Sequence, residues 1–97
     1  MHINAVSTLE IRTMEETDER FEWRLRGYSA RFAQAEGCIG FSVVKGENEP
    51  CLWILTGCWV TPSDMKNHFD STSMKELIDF LVEKCTNLKF ASFSADT

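Results

Sequence analysis

A tryptophan and a histidine stand nine positions apart in the segment GCWVTPSDMKNHF, residues 57–69. An imidazole changes charge near neutral pH without a large shift of its pKa, so His68 is a candidate general base. The indole of Trp59 is a candidate wall for a flat aromatic molecule. The two residues either face a pocket in which chemistry takes place or only pack at a sharp turn from strand to helix.

Other patterns that indicate catalysis or metal binding are missing from the sequence. Its cysteines show no CxxC or other metal-ligand spacing, and neither histidine lies near a group of cysteines. No paired-carboxylate site, phosphate-binding loop or nucleophile elbow occurs. We therefore predict no metal site, and we expect reduced thiols that behave as small buried hydrophobic groups. The four cysteines are Cys38, Cys51, Cys58 and Cys85.

Length and charge limit the classes of function. Ninety-seven residues, of which 43% are hydrophobic, predict one globular domain over residues 1–97 with a packed core. The formal net charge of −5 is unfavourable for contact with a nucleic acid backbone. No apolar stretch approaches the ~20 residues that cross a bilayer, and the first residues lack the pattern of a signal peptide. We expect a cytoplasmic protein that binds neither nucleic acid nor membrane.

Hydrophobic spacing in the first part of the chain predicts a strand and then a helix. Polar and apolar side chains alternate over residues 2–12, as in a strand with one buried face, and Ser7 lies on the apolar face. Thr13 and Glu16 have the spacing of a capping box, which predicts the helix start. The helix extends to Gly37 with one apolar stripe. That stripe consists of Phe21, Leu25, Tyr28, Phe32 and Ala35.

The middle of the chain predicts a hairpin followed by a short helix. The runs CIGFSVVK (38–45) and CLWILTGCWV (51–60) are rich in β-branched and aromatic residues, and the turn-forming GENEP joins them. Thr61 caps the short helix, with Pro62 in its first turn. Three residues share one face of this helix by their spacing. They are Met65, His68 and Phe69.

A longer helix and a final strand complete the chain. Ser73 and Glu76 form a second capping box. The apolar stripe behind it is typical of an amphipathic helix. Its members are Met74, Leu77, Ile78, Leu81, Val82 and Cys85. After Asn87, the run LKFASFSAD (88–96) predicts the last strand.

The element order β-α-β-β-α-α-β predicts an α+β fold. It is a ferredoxin-like split βαβ, with a four-stranded antiparallel sheet covered by helices on one face. The strand over 51–60 is largely apolar in both registers, so either Trp53 and Trp59 or Thr56 and Cys58 face the helices. In both cases apolar residues remain on the second face of the sheet. We therefore predict a homodimer in which two sheets stack.

The segment WVTPSDMKNHFDSTSMK (59–75) resembles a pattern of the antibiotic biosynthesis monooxygenase family: a tryptophan, a helix start, a histidine with an apolar neighbour, and Met-Lys. AEGCIGFSVVKG resembles that family's entry to the second strand, where a helix ends at a glycine. The resemblance implies a dimeric α/β barrel with one pocket per subunit between sheet and helices. It also implies oxidation of a quinol-like or phenolic aromatic by O₂ with no metal, flavin or other cofactor.

The resemblance further implies which side chains form the site. Trp59 matches the family's tryptophan at the end of the third strand, and His68 matches a histidine on the short helix, so these are the predicted catalytic residues. A haem-degrading branch has an asparagine and a second histidine where this chain has Ser7 and an aliphatic residue near Ile78. Haem cleavage is therefore not predicted, whereas haem or porphyrin binding stays open. The predicted substrate-binding residues are Ser7, Phe41, Met65 and Phe69.

Two hypotheses for the function follow. In the first, the protein is a cofactor-independent monooxygenase of a quinol-like or phenolic aromatic, with Trp59 walling the pocket and His68 assisting deprotonation. In the second, it is a non-enzymatic dimeric barrel that binds a small apolar ligand or serves as an interaction or stress-response module. Proteins with the same fold can have unrelated functions, so the sequence leaves both hypotheses open.

Overall fold

The computed structural model describes residues 2–95, and in this range the elements follow the order that the sequence predicts. Their bounds are β1 Ala5–Thr13, α1 Glu19–Phe32, β2 Cys38–Lys45, β3 Leu52–Trp59, α2 Pro62–Phe69, α3 Thr72–Val82 and β4 Cys85–Ser94. The predicted last strand also included Asp96, which lies outside the described residues.

The strands form an antiparallel sheet in the order β2-β3-β1-β4, with the helices packed on one face. Side chains of β1 alternate between buried and half-buried along the whole strand, which is the period of two that its sequence shows. Ser7 lies on the buried face, where it is 3% exposed. The predicted α+β, ferredoxin-like fold is confirmed.

The pairing of β1 with β3 decides which residues of β3 face the helices. Ser7 pairs with Gly57 and Ala5 with Trp59, and directly opposed residues of antiparallel strands point to the same face. Trp53 and Trp59 are therefore on the helix side, where both are buried. Of the two registers that the sequence leaves open, the one with the tryptophans inside is the correct one.

Two hydrophobic clusters fill the space between sheet and helices. The larger contains Leu25 of α1 and Leu77 and Leu81 of α3, which are fully buried and contribute roughly 1.5–3 kcal/mol each. The smaller contains Ala5, Trp59 and Met65. Since Trp59 and Ala5 are paired at one end of β3 and β1, the candidate site lies at that end of the sheet.

Both predicted capping boxes are wrong. Thr13 is the last residue of β1, and its hydroxyl donates to the Glu15 carbonyl at 2.6 Å. Because β1 runs on to this residue, α1 can begin only later, where Asp18 accepts from the Phe21 N–H at 3.0 Å. For α3 the cap is Ser71, which accepts from the Met74 N–H at 3.1 Å. Ser73 is already inside the helix, because the turn after α2 is only two residues long.

Two predicted helix ends are also wrong. α1 ends at Phe32, and Gly37 instead closes the following turn with a φ of 78°. α3 ends at Val82, whose side chain is 60% exposed rather than part of the buried stripe. Cys85 begins β4 three residues earlier than predicted, because it pairs with Thr13 at the end of β1. Strand pairing thus overrides the helical spacing.

The face of the sheet that carries no helix in the described part of the chain has large apolar side chains. Val44 pairs with Ile54 and Phe93 with Val6 on this face, and Val44 and Phe93 are 55% and 60% exposed. The apolar second face that the sequence predicts is therefore present. Within residues 2–95, no helix has the length and apolar character needed to cross a membrane.

Candidate functional site

The turn from β3 into α2 positions both predicted catalytic residues. Thr61 caps α2 as predicted: its hydroxyl oxygen accepts from the Asp64 N–H at 3.0 Å, and the hydroxyl donates to the Asp64 carboxylate at 2.8 Å. Pro62 has no N–H group, but this breaks no hydrogen bond, because the first N–H groups of a helix have no partner within it. Only two residues therefore separate Trp59 from the start of α2, and the helix directs His68 towards the sheet, where it is 4% exposed.

The buried indole of Trp59 has a hydrogen-bond partner. Its Nε1–H donates to Ser7 Oγ at 3.0 Å. Gly57 leaves room for this contact, because a Cβ atom there would lie 2.9 Å from Ser7 Oγ and 2.7 Å from Phe41 Cε2. Trp53, by contrast, has a buried Nε1–H that finds no hydrogen-bond partner among residues 2–95. The bond to Ser7 satisfies the polar atom of Trp59 and fixes the plane of its ring.

Aromatic rings surround the imidazole of His68. The ring centroids of Phe32, Trp59 and Phe41 lie 4.6, 4.8 and 5.4 Å from that of His68, and that of Phe69 lies at 5.6 Å. Burial lowers the pKa of His68 from 6.5 to about 4, because an apolar environment disfavours the charged form. His68 is therefore neutral near neutral pH and able to accept a proton, although a weak base.

A cleft of about 290 Å³ between the end of α1 and α2 gives His68 an opening to solvent. Neither ring nitrogen has a hydrogen-bond partner within residues 2–95, and neither belongs to the fully buried polar atoms that lack one. The charged side chains at this cleft are those of Arg31, Glu36 and Asp64.

A larger groove of about 680 Å³ lies between α3 and β4. Its apolar lining consists of Phe69, Met74, Ile78, Phe90 and Ala91. Its polar lining consists of Asp70, Ser71, Thr72, Lys75, Asp79 and Ser92. A mostly apolar concavity of this volume with a polar rim is typical of small-molecule sites.

All six residues predicted for the site lie in one region on the helix side of the sheet. They are Ser7, Phe41, Trp59, Met65, His68 and Phe69. Met65 and Trp59 belong to the smaller buried cluster, against which Phe41 and Phe69 pack. Of the six, Phe69 lines the groove and His68 lines the cleft. The six residues lie close together, but neither the groove nor the cleft is lined by both His68 and Trp59.

Several residues around the site are not predicted from the sequence. Phe32, whose ring is the nearest to His68, belongs to the predicted apolar stripe of α1. The sequence predicts it only as a core residue and not as part of the site. Ile78 likewise belongs to the stripe of α3 but lines the groove. Phe90 faces the helices because it pairs with Leu9. Only the pairing of β4 with β1 reveals this, and a single strand gives no signal for it.

The sequence predicts buried thiols, but the structure shows all four cysteines to be only half-buried. They are free, and desolvation raises the pKa of Cys38 and of Cys85. Both thiols are therefore held in the protonated, unreactive form near neutral pH. In the described range, no group of three His, Cys, Asp or Glu side chains is arranged to hold a metal ion.

The chain is similar in sequence and in fold to known proteins. The family model described as antibiotic biosynthesis monooxygenase matches residues 5–79. A conserved protein from Methanosarcina mazei is 17% identical with a TM-score of 0.81, covering 97% of this chain and 95% of that one. A proposed antibiotic biosynthesis monooxygenase from Nitrosomonas europaea is 14% identical with a TM-score of 0.82, covering 96% and 99%. Another, from Deinococcus radiodurans, is 19% identical with a TM-score of 0.77, covering 96% and 93%. No curated protein sequence matches the chain.

Proposed function

The chain belongs to the antibiotic biosynthesis monooxygenase family, and on that basis we propose that it oxidises a flat quinol-like or phenolic aromatic bound in the groove between α3 and β4. Family membership supports a monooxygenase-like function. The choice of substrate class depends on the groove, whose volume and apolar lining suit a small aromatic molecule. This groove is the observation that carries the proposal.

Charge on the groove favours a neutral substrate over an anionic one. Asp70 and Asp79 line it with negative charge, against one positive charge from Lys75. The whole chain carries a formal net charge of −5, so the surrounding field has the same sign. A phenol or dihydroquinone enters such a site uncharged and loses its proton only after binding.

The chemistry requires a proton acceptor and a dry site. A deprotonated phenol or dihydroquinone is electron-rich enough to reduce O₂ by itself. At an activated ring CH₂ of a phenolic aromatic, the carbon gains one oxygen atom as a carbonyl, and the second oxygen leaves with the two hydrogens as water. A dihydroquinone such as menadiol has no such carbon, and it passes two electrons and two protons to O₂ to give the quinone and H₂O₂. We propose His68 as the acceptor. The negative charge of a phenolate beside it raises the low pKa of the imidazole, because opposite charges stabilise each other.

A non-enzymatic function is supported by a different observation. Trp59 is fully buried with its N–H already bonded to Ser7, and His68 is separated from the groove. Both can be explained as packing at the junction of β3 and α2. In that case the groove binds a small apolar ligand, and no oxidation follows.

Oxygen consumption with menadiol separates the two functions. We expect wild-type protein to consume O₂ faster than the uncatalysed reaction. Replacing the candidate base while keeping an aromatic ring, His68→Phe, is expected to lower kcat by about 100-fold. Trp59→Phe removes the donor to Ser7 and is expected to lower kcat less, by about tenfold.

The groove itself is tested by a matched pair on α3. Ile78→Trp fills the groove and is expected to lower kcat/KM by at least about tenfold. Val82→Trp adds the same ring one helical turn further along, at a side chain that is 60% exposed, and is expected to match the wild type. Equal activity of the two variants, or no uptake above the uncatalysed rate, contradicts the monooxygenase proposal. Binding of menadione without oxygen uptake supports the ligand-binding function.

We also propose that two copies stack through the helix-free face of the sheet. Proteins of this family are generally dimeric, and the exposed Val44 and Phe93 gain burial in such a contact. Light scattering at micromolar concentration is expected to give twice the chain mass of 11.1 kDa. Val44→Lys combined with Phe93→Lys is expected to shift the mass towards the monomer. A monomeric wild type contradicts the stacking.

A further inference from the structure

We infer that Phe69 is the wall between the groove and His68, and that its side chain must move aside before a molecule in the groove reaches the imidazole. The inference deepens the proposed function, on which its kinetic consequence depends. It concerns one side chain that lines the groove on one side and packs beside His68 on the other.

The contacts of Phe69 place it between the two regions. Its ring centroid lies 5.6 Å from that of His68 and 5.9 Å from that of Phe90, an edge-on neighbour in the groove. It packs against the larger buried cluster and also against the smaller cluster around Trp59. The groove lining includes Phe69 but neither His68 nor Trp59. Ser71 lines both the groove and the cleft that contains His68, so Phe69 is the aromatic part of the boundary between the groove and the predicted catalytic pair.

The position of Phe69 in the fold allows it to move. It is the last residue of α2, and only two residues separate it from α3. Its side chain is half-buried, in contrast to the buried His68 beside it. The ring is least enclosed on the groove side, where its neighbour Phe90 is itself 45% exposed. A rotation about the Phe69 side chain would join the groove to the space around His68 and leave the helix in place.

The wall is tested first by the titration of His68, followed by NMR of the imidazole. Phe69→Ala is expected to admit water to the ring and to raise its pKa from about 4 towards the ordinary value of 6.5. Phe90→Ala widens the same groove but leaves the wall intact, so its His68 pKa is expected to equal that of the wild type. An unchanged pKa in Phe69→Ala, or an equal rise in both variants, overturns the inference. This measurement needs no activity.

The need for movement is tested by a larger ring. Phe69→Trp is expected to lower kcat at saturating menadiol by about tenfold. Because Phe69 also lines the groove, menadione binding is expected to weaken as well, so the gate is judged on kcat alone. An unchanged kcat at saturating menadiol overturns the gating role. If wild-type protein consumes no O₂, the proposed function fails, and the titration still decides whether Phe69 is a wall. If Ile78→Trp abolishes turnover but Phe69→Trp does not, the proposed monooxygenase function is supported and the gating role of Phe69 is contradicted.

Discussion

The free energy of unfolding of the wild-type protein is expected to fall by about 2 kcal/mol between about pH 7 and about pH 5 because of His68 alone. Burial lowers the pKa of the folded imidazole to about 4, whereas the unfolded chain binds this proton near 6.5. The unfolded state therefore holds more protons between these two values. The stabilisation is complete above about pH 6.5 and is lost as the pH falls towards about 4.

Urea unfolding at the two pH values measures this effect. In His68→Phe the contribution of the imidazole disappears, so the variant is expected to lose about 2 kcal/mol less than the wild type over the same interval. The carboxylates are common to both proteins and cancel in the comparison. An equal loss in His68→Phe and wild type would mean that the folded imidazole binds its proton normally.

Gly37→Ala is expected to lower the free energy of unfolding by about 2 to 4 kcal/mol. Gly37 adopts a φ of 78°, a left-handed conformation that disfavours any side chain. A Cβ atom there would also lie 2.6 Å from Asp64 Cβ and closer still to its carboxylate. The Gly37 carbonyl accepts from the Val60 N–H at 2.9 Å, so the turn cannot shift without disturbing the entry to α2.

Gly27→Ala is the matched control in the same stretch of chain. Gly27 lies inside α1, and a Cβ atom there meets nothing within 4 Å. Alanine is a better helix former, so this variant is expected to gain roughly 0.5–1 kcal/mol. Thermal or urea unfolding of both variants measures the contrast. Asp64→Gly removes both the Cβ and the carboxylate that the new side chain would meet. If Gly37→Ala costs nothing when it is compared with the Asp64→Gly protein, the left-handed backbone contributes nothing.

Local patterns account for the parts of the fold that the sequence predicts well. The alternation in β1 places Ser7 on the buried face, and the structure confirms this because a strand has no other way to bury its apolar residues. Thr61 and Pro62 start α2 as predicted. Trp59 and His68 consequently lie together at the corner between β3 and α2. Each of these features depends on residues a few positions apart.

The wrong predictions at Thr13 and Cys85 depend on distant partners. Thr13 has the spacing of a helix cap, but pairing with Cys85 and a hydrogen bond from its N–H to the Cys51 carbonyl keep it in β1. Cys85 fits the stripe of α3, but the same pairing draws it into β4. Sequence spacing describes what a segment favours by itself, and it carries no information on which segment will lie beside it.

The sequence by itself determined the order of the elements, the ferredoxin-like fold and the residues that gather at the corner after β3. Only the tertiary structure decided that the tryptophans of β3 point inward, that the groove lies between α3 and β4, and that Phe69 stands between this groove and His68. The reason is physical. Hydrophobic period and caps act within one element, whereas a cavity exists only where side chains from several elements fail to fill the space between them.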